Sequence, residues 1–132
     1  STLSSSSAAS DVYKRQIQDL KKEGKLLLIK SAESDEMTIF FDKENQPNTQ
    51  VQMGIITLQP GEKRPLAGYA RHEQDEYSYV ISGEAHTILE DGQDLVGKAG
   101  QAQLIEAGEG HINYNDGLEP AVVVWMLVER TK

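Results

Sequence analysis

Apolar residues in this chain gather in short runs separated by polar turn residues. Residues 26–29 are Leu-Leu-Leu-Ile with a lysine at each end. Met37–Phe41 is β-branched and aromatic, and Val51–Leu58 is a second such stretch, closed by the turn pair Pro60-Gly61. Residues 77–81 lead into Ser82-Gly83, and residues 85–89 end near Asp91-Gly92, a hairpin dipeptide. Residues 103–105 run out at Gly108 and Gly110. Ala121–Val128 is apolar at nearly every position, which predicts a strand covered on both faces. Residues 17–23, ahead of Gly24, are expected to form one or two helical turns. Short, evenly spaced strands with no helical period after residue 24 predict an all-β domain of eight or more strands. Periodicity alone leaves an immunoglobulin-like sandwich, a jelly roll and a lipocalin-like barrel open.

The first sixteen residues do not share this pattern. Residues 1–10 hold six serines, a low-complexity stretch with nothing to bury. Residues 11–16, Asp-Val-Tyr-Lys-Arg-Gln, resemble the translation of a transposase-end sequence used to prepare sequencing libraries. Residues 1–16 are therefore read as a disordered tail of assembly origin and set aside, and residues 17–132 as one domain. A chain of 132 residues suits a single core.

Charge and composition narrow the partners. The formal net charge of −8 repels phosphate backbones, so no nucleic-acid partner is expected. No apolar run approaches the roughly 20 residues of a membrane span. There is no cysteine, so disulfides, thiolate metal sites and a cysteine nucleophile are all excluded. The cysteine-free composition fits a reducing compartment, and a cytoplasmic location is expected.

The candidate chemistry lies in three histidines, His72, His86 and His111. His72 precedes Glu76 by four positions, and His111 follows a glycine turn. Neutral imidazole and carboxylate are ligands for Zn, Fe, Mn, Co or Ni, and strand ends of a barrel can bring such groups to one interior point. By itself, a His and a Glu at this spacing more commonly stand solvated on the surface.

The glycines around them add a resemblance to the cupin superfamily. Its first motif is G-x5-H-x-H-x3–4-E-x6-G, and here His72, Glu76 and Gly83 fill the second-histidine, glutamate and closing-glycine slots. Its second motif is G-x5-P-x-G-x2-H-x3-N, and Gly100, Gly108, His111 and Asn115 fill all of it but the proline. Ala70 stands in the first-histidine slot and Glu106 in the proline slot. The resemblance covers residue 60 to the end, with residues 17–59 supplying extra N-terminal strands. It implies a cupin-type double-stranded β-helix, or jelly-roll, barrel. It also implies a divalent metal ion (Mn, Fe, Ni or Zn) held by His72, Glu76 and His111, a two-histidine, one-carboxylate set with open positions. The implied activity is that of a metalloenzyme on a small polar metabolite, such as a sugar acid or carbonyl compound, of isomerase, lyase or oxygenase type. The alternative is a metal-free, non-catalytic small-molecule-binding barrel. Cupins commonly pair, so a homodimer is expected, with Ala121–Val128 offering the surface.

Other residues carry weaker expectations. Inward-facing residues 85, 87 and 89 would turn His86 outward. Asn113 and Asn115 share a face with His111, either lining the barrel or tying its hairpin. Arg64 and Arg71 could bind an anionic substrate but are expected at the surface, Tyr69 could approach a metal but is expected in turn packing, and Trp125 could line the pocket but is expected in the core.

Overall fold

The structure is a computed structural model that describes residues 28–47 and 49–131. The chain divides into two compact units, Ser1–Lys30 and Ser31–Lys132. Of the first, only residues 28–30 are described, in irregular chain, so the tail at 1–16 and the helical turns at 17–23 lie outside the described residues. The strand expected at 26–29 is not seen in its described part, Leu28 and Ile29.

The second unit holds nine strands: β1 (Met37–Phe41), β2 (Val51–Leu58), β3 (Lys63–Arg64), β4 (Asp75–Ser82), β5 (Glu84–Leu89), β6 (Asp94–Lys98), β7 (Ala102–Ile105), β8 (His111–Tyr114) and β9 (Ala121–Val128). No helix occurs among the described residues, and none there is long and apolar enough to cross a membrane. Every pairing is antiparallel. One sheet has the order β1-β2-β9-β4-β7 and the other β3-β8-β5-β6. The fold is the expected all-β jelly roll.

Apart from the hairpins β1–β2 and β5–β6, consecutive strands pass from one sheet to the other, and the tightest crossing is β4 to β5. A single residue, Gly83, joins them at φ +74°, a conformation L side chains avoid. A Cβ there would also lie 2.8 Å from Ala121 Cα. Two constraints thus demand glycine at one position.

Strand register sorts the interior into levels. Across β2, β9 and β4 the inward rows are Gln52–Leu127–Glu76, then Gly54–Trp125–Ser78, then Ile56–Val123–Val80. Leu58 and Ala121 pair beneath them. On the facing sheet Ala70, His111 and Leu89 form one row, and Arg64, Asn113 and Thr87 the next. Successive levels are about 7 Å apart, two residues along a strand. The buried cluster Leu58, Ala85 and Ala121, with Ile56 and Val123 against it, closes the lower end. The upper levels are open and enclose a cavity of about 480 Å³.

β9, the most apolar strand, is the middle strand of its sheet. Its outward residues Val122, Val124 and Val128 are half-buried, and only Met126 is exposed there. The exposed apolar surface expected from β9 therefore falls mainly on its neighbour β4, at Tyr77, Tyr79 and Ile81, and beyond it on Leu104 of β7.

Candidate metal centre

Three separate stretches supply the upper level of the cavity. Ala70 pairs with His111 through two backbone hydrogen bonds, Ala70 N to His111 O at 2.9 Å and the reverse at 3.0 Å. Two residues on, His72 lies in irregular chain, pinned by its carbonyl accepting from Gly108 N at 2.8 Å. Glu76 is the second residue of β4 and His111 the first of β8.

The turn before β8 is laced to this segment from the side. Asp75 Oδ1 accepts from Ala107 N at 2.8 Å and from Arg130 Nε at 2.8 Å. These bonds, the Ala107 amide first and the Arg130 guanidinium next, hold the Asp75 carboxyl below the usual range. Arg71 forms an ion pair with Glu90 and donates to Gly108 O at 3.3 Å. Both motif segments are thereby fixed against each other around the level that carries the histidines.

The ligand atoms of His72, Glu76 and His111 all lie within 4.8 Å of one another. Glu76 Oε1 is 3.5 Å from His72 Nε2 and 3.9 Å from His111 Nε2. Donor atoms bound to one ion at about 2.1 Å stand roughly 3.0–3.5 Å apart in octahedral or tetrahedral geometry. Of the two separations from Glu76, that to His72 falls in this range and that to His111 is a few tenths of an ångström open. The donor identities fit as well. His111 is 2 % exposed, and its Nδ1 lies 3.1 Å from the Glu109 carbonyl oxygen. That contact keeps the proton on Nδ1 and leaves the Nε2 lone pair facing Glu76, the arrangement that orients metal-bound imidazoles. Ala70 lines the same cavity, so its methyl group stands where a fourth donor would reach.

The other expectations resolve individually. His86 points outward between Asp94 and Asp116, with Nδ1 2.7 Å and Nε2 2.9 Å from their carboxylate oxygens. Asn115 is fully buried and ties the hairpin, donating through Nδ2 to the Leu58 and Glu119 carbonyls. Asn113 lines the cavity instead. Arg71 stays at the surface, while Arg64, expected there too, lines the cavity. Trp125 also departs from the expected core packing and forms part of the cavity wall. The reason is Gly54 beside it: a Cβ there would strike the indole ring, so the missing side chain is the space the indole occupies. Thr87, expected to face inward, lines the cavity, and so do Ser78 and Gln103, which carried no expectation. Their signal was parity, since each is a polar residue at an inward position of an otherwise apolar strand.

A family model described as the cupin domain (Cupin_2) matches residues 54–127, a span that contains all three candidate ligands. No curated protein matches the chain. Among solved structures, a predicted oxalate decarboxylase from Thermotoga maritima superposes with a TM-score of 0.64 at 20% identity, covering 79% of this chain and 100% of that one. The Cupin_2 domain of an XRE family transcriptional regulator from Enterobacter cloacae gives 0.60 at 20% identity, over 72% and 96%. A sugar phosphate isomerase from Silicibacter pomeroyi gives 0.56 at 24% identity, over 74% and 61%. At these identities the likeness is one of fold.

Proposed function

Since the chain belongs to the cupin domain family, we propose that it is a metal-binding cupin that admits a small molecule to its cavity and acts on it as a metalloenzyme. The observation that carries this reading is the convergence of His72, Glu76 and His111 at one level of a cavity of about 480 Å³. That volume lies within the range of small-molecule sites.

His72 and His111 would hold a divalent ion (Mn, Fe, Ni or Zn) through imidazole nitrogen and Glu76 through carboxylate. When bound, the ion supplies Lewis acidity toward a carbonyl or hydroxyl oxygen. The protein's own contribution is placement. Glu109 fixes the His111 tautomer, the paired backbone of Ala70 and His111 sets the spacing of the two motif segments, and the small Ala70 side chain leaves room beside the ligands. The hydrocarbon lower wall limits water around the bound molecule.

One observation favours a second reading, a non-catalytic binding barrel without metal. The methyl group of Ala70 removes a fourth donor and lowers metal affinity. Titration with Mn(II), Zn(II), Ni(II) and Fe(II) separates the two. Wild-type protein is expected to bind at least one ion at a single site, Ala70→His to bind it more tightly, and His111→Ala to lose it. If wild type binds none and Ala70→His gains nothing, the metal-free reading stands. A homodimer and a cytoplasmic setting complete the proposal, the first supported by the exposed outer face of β4 and β7 and the second by the cysteine-free sequence.

A further inference from the structure

We infer that the ligand of this cavity is a small monocarboxylate with a hydrocarbon body, its carboxylate met by Arg64 and its body packed on the cavity floor. The inference rests on the cavity being the ligand site, as proposed above, and it narrows the sugar acid or carbonyl compound expected from sequence to a carboxylate with an apolar body.

The argument comes from the three levels of the interior. The upper level holds the candidate metal ligands. The middle level mixes polar and aromatic groups: Arg64, Ser78, Thr87, Gln103, Asn113 and Trp125. The floor is hydrocarbon, formed by Met37, Ile56, Leu58, Val80, Ala85 and Val123.

The polar groups of the middle level are partly engaged with one another. The Thr87 hydroxyl lies 3.0 Å from Gln103 Oε1 and 3.3 Å from Asn113 Oδ1, bridging the two sheets. The Gln103 amide lies against Gly97, whose lack of a side chain makes room for it. Arg64 differs. It is the one Lys or Arg side chain among the residues lining the cavity. Its Nε donates to Glu62 Oε2 at 3.0 Å, while its two terminal nitrogens make no hydrogen bond or ion pair among the described residues. A guanidinium with terminal N–H groups free presents a planar pair of donors, the geometry a carboxylate accepts.

The floor decides the rest of the ligand. It offers no hydrogen-bonding side chain, so each hydroxyl of a sugar acid seated there would lose water without gaining a partner. A branched alkyl group loses nothing and gains contact. A second oxygen next to the carboxylate would lie toward the upper level, where the metal ligands converge. A 2-oxo acid with an aliphatic side chain satisfies all three levels.

Trp125 is the only tryptophan of the chain and lines the cavity, so its emission reports occupancy directly. The test titrates 4-methyl-2-oxopentanoate, D-gluconate and the neutral ketone 4-methyl-2-pentanone into wild-type protein, with and without Mn(II), by fluorescence and calorimetry. The oxo acid is expected to bind most tightly and gluconate to be weaker by roughly tenfold or more, as buried unpaired hydroxyls require. Arg64→Met should weaken the oxo acid by about tenfold, the loss of a charge-assisted pair, and leave the neutral ketone unchanged. Arg64→Gln serves as a second variant. Gluconate binding as tightly as the oxo acid, no oxo acid binding at millimolar concentration, or an equal loss for acid and ketone in the Arg64 variants would each overturn the inference. Electron paramagnetic resonance of Mn(II) follows the metal separately. Oxo acid binding without Mn(II) binding defeats the metal reading alone, whereas Mn(II) binding with gluconate preferred defeats the ligand class alone.

Discussion

His86 shows how a single residue outside the cavity can tie stability to pH. Both of its ring nitrogens face carboxylates, an arrangement only the imidazolium satisfies fully. The hydrogen bond to Asp94 is the larger cause, with Asp116 adding its charge, and together they raise the His86 pKa above its ordinary 6.5. A raised folded-state pKa gives stability that is whole below the unfolded value and fades as pH climbs through the folded one. Both aspartates are about half exposed, so the contribution is about 1 kcal/mol or less. His86→Gln should therefore melt below wild type at pH 6, and the difference should shrink toward pH 8.5. A difference that is constant with pH would show that the aspartates do not act through the charge. The same residue shows what a sequence reveals at this scale. Strand parity was enough to turn His86 outward, but its partners come from residues 94 and 116, which no local pattern links to it. His72, Glu76 and His111 were legible for another reason, since a spaced motif encodes positions that the fold later brings together.

At the scale of elements, long apolar strands announced themselves and short polar ones did not. β1, β2, β4, β5, β7 and β9 each correspond to a run visible in the sequence. β3 has two residues, Lys and Arg, and β6 begins at Asp94, so neither offers a run to detect. Both are edge strands, where charged residues are tolerated and protect against unwanted pairing. The cavity was hidden too, because it depends on which strands lie side by side. Gly54 illustrates this: it neighbours Trp125 across β2 and β9 and Ile39 across β1 and β2. A Cβ at Gly54 would strike the indole ring and lie 2.6 Å from the Thr38 carbonyl oxygen. Gly54→Ala should destabilise the fold by about 1–3 kcal/mol, the usual result of overpacking. It should also shift the emission of Trp125, because the ring must move into the cavity. A variant with unchanged melting temperature and emission would mean that β1 and β2 separate easily to admit the methyl group.

For the molecule as a whole, the outer face of the five-stranded sheet is the distinctive surface. Tyr77 sits opposite both Leu104 and Met126, and all three are exposed, so these apolar groups form a continuous patch with Tyr79 and Ile81. Patches of this kind on a small domain mark association surfaces. Light scattering at micromolar concentration should give a mass near twice 14.6 kDa, and Tyr79→Lys should reduce it to the single-chain value. A single-chain mass for wild type would remove the homodimer from the proposal.

The central position of β9 has a consequence for how the protein is made. β9 lies between β2 and β4, so the two halves of its sheet meet only through a strand synthesised at the end of the described chain. Until residues 121–128 leave the ribosome, β2 and β4 each present an unpaired apolar edge, and such edges invite pairing with other chains. A nascent or prematurely terminated product is then a hazard that chaperones must hold rather than a smaller folded barrel. A chain ending at residue 118 should partition into the insoluble fraction when expressed, and adding a peptide of residues 119–131 during refolding should restore soluble protein. Solubility of the truncated chain by itself would show that β2 and β4 can close on each other without the strand that separates them.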